Sequence, residues 1–154
     1  MSALLRVAEL NASYAAAIDA DRLEAWPDFF VDDCLYKITS AENYRRGYSA
    51  GIVYADSRAM LRDRVTALRT ANIYERQRYR HIVGLPVLGA TRADRIAAET
   101  AFLVLRIVRD GRTDTFATGV YVDRICDKGG SLRFAERIVV CDSSHFDTLL
   151  AIPL

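Results

Sequence analysis

Residues 72–86, Asn-Ile-Tyr-Glu-Arg-Gln-Arg-Tyr-Arg-His-Ile-Val-Gly-Leu-Pro, concentrate Tyr74, Arg76, Arg78, Tyr79, Arg80 and His81 at the mouth of an apolar run. With strand alternation, Tyr79, His81, Val83, Leu85 and Val87 share one face, and Arg80, Ile82, Gly84, Pro86 and Leu88 the other. If the first face lines an interior, His81 and Tyr79 would meet Asp32 or Asp33. A His–Asp pair in an apolar cavity is a workable general base for proton abstraction beside a carbonyl, or for dehydration. The competing reading is a histidine held by a carboxylate or carbonyl, with the arginines and tyrosines gripping a partner. A nucleophile–base reading of Cys141, Ser143, Ser144 and His145 is weak, because close sequence neighbours seldom face each other productively.

Metal chemistry finds few ligands. His81 and His145 are the only histidines, and neither pairs with Cys34, Cys126 or Cys141 at the short spacing an iron–sulfur site with mixed ligands needs. A mononuclear iron site would require both histidines and a carboxylate to converge. Gly47, Gly51 and Gly84 are isolated, and Gly129-Gly130 is a hairpin signal, so no phosphate loop is present. The three cysteines read as reduced, buried thiols, not a disulfide framework.

The 154 residues carry a net charge of +1, which gives no footprint for nucleic acid or an anionic membrane. No apolar run reaches the roughly 18 residues of a membrane span. Met1 to Asn11, with Arg6 and Glu9 inside a helical pattern, does not read as a signal peptide, so the expected location is cytoplasmic. Apart from Lys37 and Lys128 every basic side chain is arginine, which suits bidentate pairing at an interface and equally reflects codon bias.

The elements that would position these residues fall in two halves of one expected domain, 1–154. Leu4, Val7, Ala8, Asn11, Tyr14, Ala15 and Ile18 recur at helical steps. A short helix is expected from Asp19 or Asp21 to Pro27, then an apolar cluster with a turn at Asp32-Asp33. A third helix follows Asp56 or Ser57, with Met60, Leu61, Val65 and Leu68 inward and Arg58, Arg62, Asp63, Thr66 and Arg69 in water. Strands are expected over 79–88, 96–109, 116–125 and 132–141, with turns at Asp110-Gly111 and 127–130. Helices before a meander predict an α+β fold: a cone-shaped, curved antiparallel sheet around three N-terminal helices, resembling scytalone dehydratase and ketosteroid isomerase.

Several blocks along the chain carry a further likeness. Leu23-Glu24-Ala25-Trp26-Pro27-Asp28-Phe29-Phe30-Val31-Asp32-Asp33-Cys34-Leu35-Tyr36-Lys37-Ile38 resembles the opening signature of the small, β subunits of aromatic-ring-hydroxylating dioxygenases. Arg78-Tyr79-Arg80-His81-Ile82-Val83 is similar to their Arg-x-x-His strand. The segments 51–57 and 71–76 and the ending 147–154 resemble terephthalate dioxygenase small subunits in particular, with salicylate- and anthranilate-type hydroxylases as neighbours.

The resemblance implies a non-catalytic scaffold with no cofactor or metal of its own. A large α subunit would carry the Rieske 2Fe–2S cluster and the mononuclear Fe(II), and three large and three small chains would assemble. The complex would add two oxygen atoms to an aromatic carboxylate as a cis-dihydrodiol, with electrons from a nicotinamide-dependent reductase. No catalytic residue is then expected here. The interface would draw on Tyr74, Arg76, Arg78, Tyr79, Arg80 and His81, and on Leu149, Leu150, Ile152 and Leu154 of an apolar ending that needs cover. The alternative is a stand-alone isomerase or dehydratase using His81 with Asp32 or Asp33.

Overall fold

In a computed structural model, which describes residues 1–49, 51–71, 77–143 and 152–154, helices α1 (Ala3–Asp19), α2 (Ala41–Arg45) and α3 (Arg58–Ala71) accompany seven strands. The strands are β1 (Phe30–Ser40), β2 (Val53–Ala55), β3 (Gln77–Val83), β4 (Val87–Arg92), β5 (Arg95–Val108), β6 (Thr113–Lys128) and β7 (Ser131–Cys141). Ser2 caps α1 by accepting a hydrogen bond from the Leu5 N–H at 3.2 Å. The predicted stripe is buried at Val7, Asn11, Tyr14, Ala15 and Ile18, while Leu4 remains exposed. Asp21 then takes a left-handed φ of 59°, which a short polar residue tolerates, and turns the chain into a 3₁₀ segment, Leu23–Phe29. Trp26 of that segment meets Tyr36 and Phe30 edge-on.

The sheet runs in the order β2-β1-β7-β6-β5-β3, and β4 also pairs with β5. Its pairings are antiparallel except β1 with β7, which run parallel with Tyr36 opposite Arg137 and Ile38 opposite Val139. That pair departs from the expected antiparallel sheet: β1 is the first strand of the chain and β7 the last, so no hairpin turn joins them and fixes an antiparallel course. Burial alternates residue by residue along β5, from Ile96 to Val108 inward and Ala97 to Ile107 outward. α1 packs on β3 and β7, while α3 packs on β1 and the 3₁₀ segment, so the inner face is covered by helix.

Other expectations change. Asp32-Asp33 makes no turn; β1 continues through it with a register shift between Phe30 and Leu35, and both residues are exposed. The strand expected over 79–88 is two strands, because Gly84-Leu85-Pro86 leaves the ladder after the Gly84 N–H reaches the Ala101 carbonyl. Leu85 and Val87 are therefore exposed and do not continue the inner face of Tyr79 and His81. Helix α2 was not anticipated; Ser40 caps it through the Asn43 N–H. Met60, expected inward with Leu61, Val65 and Leu68, is exposed at the start of α3. Arg58 is not a water-facing residue: its guanidinium donates to the Phe30 carbonyl and pairs with Asp32 at 2.9 Å. Arg69 clamps Asp21 and Glu24, locking α3 to the 3₁₀ segment.

Candidate functional site

Among the described residues β3 lies at the end of the sheet, with no strand on one side of its backbone. Asp19, the last residue of α1, occupies that side. Its Oδ2 accepts the His81 main-chain N–H at 2.8 Å, and its Oδ1 lies 2.7 Å from His81 Nδ1. A carboxylate at a helix C-terminus opposes the helix dipole, and the two His81 donors offset that cost. The geometry defines the tautomer that donates from Nδ1. His81 Nε2 is buried with no hydrogen-bond partner among the described residues.

Around this pair, Tyr79 stacks on Phe116 with centroids 5.2 Å apart, and the guanidinium of Arg106 lies 5.0 Å from the Phe116 centroid while pairing with Asp114. The structure thus brings together Tyr79 and His81, as the alternation predicted, but pairs the histidine with Asp19. Asp32 and Asp33 stand elsewhere, with Asp32 engaged by Arg58. The His–Asp pairing expected for a stand-alone catalyst is absent for that reason. Arg78 and Arg80 point outward on the opposite face of β3, beside the more-than-half-exposed Ile82. Arg80 stays 4.0 Å from Asp19. Tyr74, Arg76, Leu149 and Leu150 lie outside the described residues.

Ile152 and Leu154 are buried in the chain's own core. Tyr14 and Tyr36 each donate an O–H to the Leu154 main-chain oxygen, at 2.7 and 3.0 Å, and Trp26 Nε1 donates to Tyr14 Oη at 3.1 Å. These two residues of the apolar ending thus find cover on their own chain.

The inner face holds a charge that sequence reading missed. Arg137, fully buried, forks onto Asp123 with hydrogen bonds of 2.9 and 2.8 Å and donates to Asn11, whose amide in turn donates to Thr100. The guanidinium carbon lies 3.8 Å from the Tyr121 centroid, 3.9 Å from Phe134 and 4.4 Å from Tyr14. Burial pushes the Asp123 carboxyl up from the usual range, and the guanidinium opposes that shift. The fork engages both carboxylate oxygens of Asp123 as acceptors. The signal available beforehand was Asn11 in an apolar helix stripe and Asp123 and Arg137 at inward strand positions. The centre of the cone is thereby filled with side chains: Trp26, Tyr14, Tyr36, Tyr121, Phe134 and Arg137. Among the described residues, no three His, Cys, Asp or Glu side chains converge as a metal site, and no helix is long and apolar enough to cross a membrane.

Such an architecture, a curved sheet closed on helices over a filled interior, is the cone-shaped α+β fold. A protein of Novosphingobium aromaticivorans assigned as a scytalone dehydratase shares it, with a TM-score of 0.66 over 88% of this chain and 81% of that one at 16% identity. A much nearer structure is the β subunit assigned to an aromatic-ring-hydroxylating dioxygenase of the same organism. It has a TM-score of 0.91 and 40% identity, covering 99% of this chain and 97% of that one. The family model described as ring hydroxylating beta subunit matches residues 14–148. In Comamonas sp., the β 1 subunit of the terminal oxygenase component of terephthalate 1,2-dioxygenase is 51% identical over 97% of both chains. The chain belongs to the ring-hydroxylating dioxygenase β-subunit family, and so is the small subunit of such an oxidoreductase.

Proposed function

We propose that this chain is the structural small subunit in the terminal oxygenase of an aromatic-carboxylate dioxygenase of the terephthalate kind, working in the cytoplasm as one domain, 1–154. The observation that carries this reading is the likeness to the Comamonas subunit over 97% of both chains. The filled cone supports it: Arg137 and its aromatic cage occupy the interior with side chains. The partner is a large subunit that holds the Rieske 2Fe–2S cluster and mononuclear Fe(II) and performs the cis-dihydroxylation, in an assembly of three large and three small chains served by a reductase.

Within that assembly, Arg78 and Arg80 are contact residues of the 72–86 segment, reaching from the outer side of β3 beside Ile82. Tyr74, Arg76, Leu149 and Leu150 complete the proposed contact set. Tyr79 and His81 act from behind, fixing the strand against Asp19 and Phe116, and Ile152 and Leu154 anchor the ending that bears Leu149 and Leu150.

Co-expression with the cognate large subunit tests the proposal. Stable co-purification is expected, with terephthalate turnover when reductase and nicotinamide cofactor are supplied and no turnover by this chain alone. A purified chain that turns over a small carbonyl substrate without a partner, and loses that activity in His81→Ala, would overturn it.

A further inference from the structure

The outer face of the sheet carries a trough that none of these roles uses. Its floor consists of outward residues from four neighbouring strands: Val87 on β4, Ala97 and Glu99 on β5, Val122 on β6 and Glu136 and Ile138 on β7, with Tyr44 of α2 beside them. The register sets Val87 and Val122 on either side of Glu99, and Ile138 beside Val122. Gly89 and Ala97 keep the floor low, since a Cβ on Gly89 would lie 3.3 Å from that of Ala97. The cavity holds about 300 Å³. Four strands span about 14 Å, room for about four extended residues.

At the β4–β5 end the trough meets a second hollow of about 320 Å³, and the two share Ala97 and Arg124. Three guanidiniums, Arg92, Arg95 and Arg124, line it together with Ala90 and Ala97, and no acid does. Arg92 has no ion-pair partner among the described residues. Arg95 reaches Asp94 only at 3.7 Å, while Arg124 is paired with Glu136 at 3.1 Å on the trough side. Arg92, with no ion pair among the described residues, and the loosely held Arg95, beside an apolar floor, favour a carboxylate followed by an apolar side chain.

We propose that this trough receives an acidic segment of the large subunit, a carboxylate seating among Arg92, Arg95 and Arg124 and an apolar side chain lying over Ala97, Val122 and Ile138. The proposal rests on the small-subunit reading and adds a second contact surface, separate from the outward edge of β3.

The test is equilibrium binding of the purified chain to its cognate large subunit, at low and high salt. The variants are Arg92→Glu/Arg95→Glu, Arg92→Lys/Arg95→Lys, and Arg22→Glu as a control on the exposed turn after α1. All these side chains are exposed, so folding is checked simply by circular dichroism. The charge reversal is expected to weaken binding about 100-fold and flatten its salt dependence, the lysine pair to retain part of the affinity, and the control to bind like wild type. Wild-type affinity in the reversal variant would overturn the trough proposal alone. Self-association of the chain that the reversal abolishes, with large-subunit binding unchanged, would overturn it in favour of a second copy. Failure of the wild-type chain to bind any large subunit would overturn the small-subunit reading and this proposal with it.

Discussion

Arg137 joins one carboxylate, one amide and three rings at the centre of the fold. Its charge is shielded from water by three rings and answered by one carboxylate, so neither partner can be removed alone without stranding the other. Arg137→Met should lower unfolding free energy by about 3–5 kcal/mol in urea titration. The double variant Asp123→Leu/Arg137→Met should lose clearly less than the two single changes summed, because it leaves no orphaned charge. Additive losses would show that the pair is not coupled. This network was only partly legible in the sequence. Asn11 sat visibly in an apolar stripe, but its meaning depends on Arg137, 126 residues away, and no local pattern links them. His81 was visible at once for the same reason that its partner was not: Asp19 looks like a helix end until the fold brings α1 across the edge of β3.

Helix α1 and strand β3 are joined end to edge, and Asp19 is the joint. Its two oxygens hold the backbone and ring of His81, so the unpaired side of β3 cannot recruit a foreign strand there. Asp19→Ala should cost about 2–3 kcal/mol, since it strands a buried N–H. Asp19→Asn, which keeps one acceptor, should cost about half as much. The discriminating measurement is amide exchange: the His81 N–H should lose its protection in Asp19→Ala while the paired backbone of β5 and β6 keeps it. Elements that announce themselves by periodicity, α1, α3 and the long β5 to β7, were readable from the chain. The breaks were not. Gly84-Leu85-Pro86 interrupts an apolar run that reads as one strand, and Asp32-Asp33 reads as a turn but is a bulged stretch of strand, because Phe30 before it still pairs with Phe134.

Across the whole molecule, burial of thiols sets an alkaline limit. Cys34 is pushed up to about 11 and Cys141 to about 12, both chiefly because their surroundings exclude water. A thiol whose folded pKa lies above its ordinary value of 9.0 contributes its full stability below that value. The contribution is lost as pH rises, since only the unfolded chain releases the proton. By pH about 10 the loss should reach about 1 kcal/mol per thiol, read as a falling urea midpoint, and Cys34→Ala/Cys141→Ala should flatten that slope. An unchanged slope in the double variant would assign the alkaline limit elsewhere.

The parallel pairing of β1 with β7 also has a consequence in time. A hairpin such as β5–β6 can zip as soon as its turn exists, whereas β1 has no adjacent partner except the three-residue β2 until a strand about a hundred positions later is available. The first-made half of the chain can cover Phe30 and Tyr36 with Tyr14 and Trp26, but the main sheet partner of β1 arrives only with the long-range closure that sets β7 between β1 and β6, a separation in sequence of the kind that slows folding.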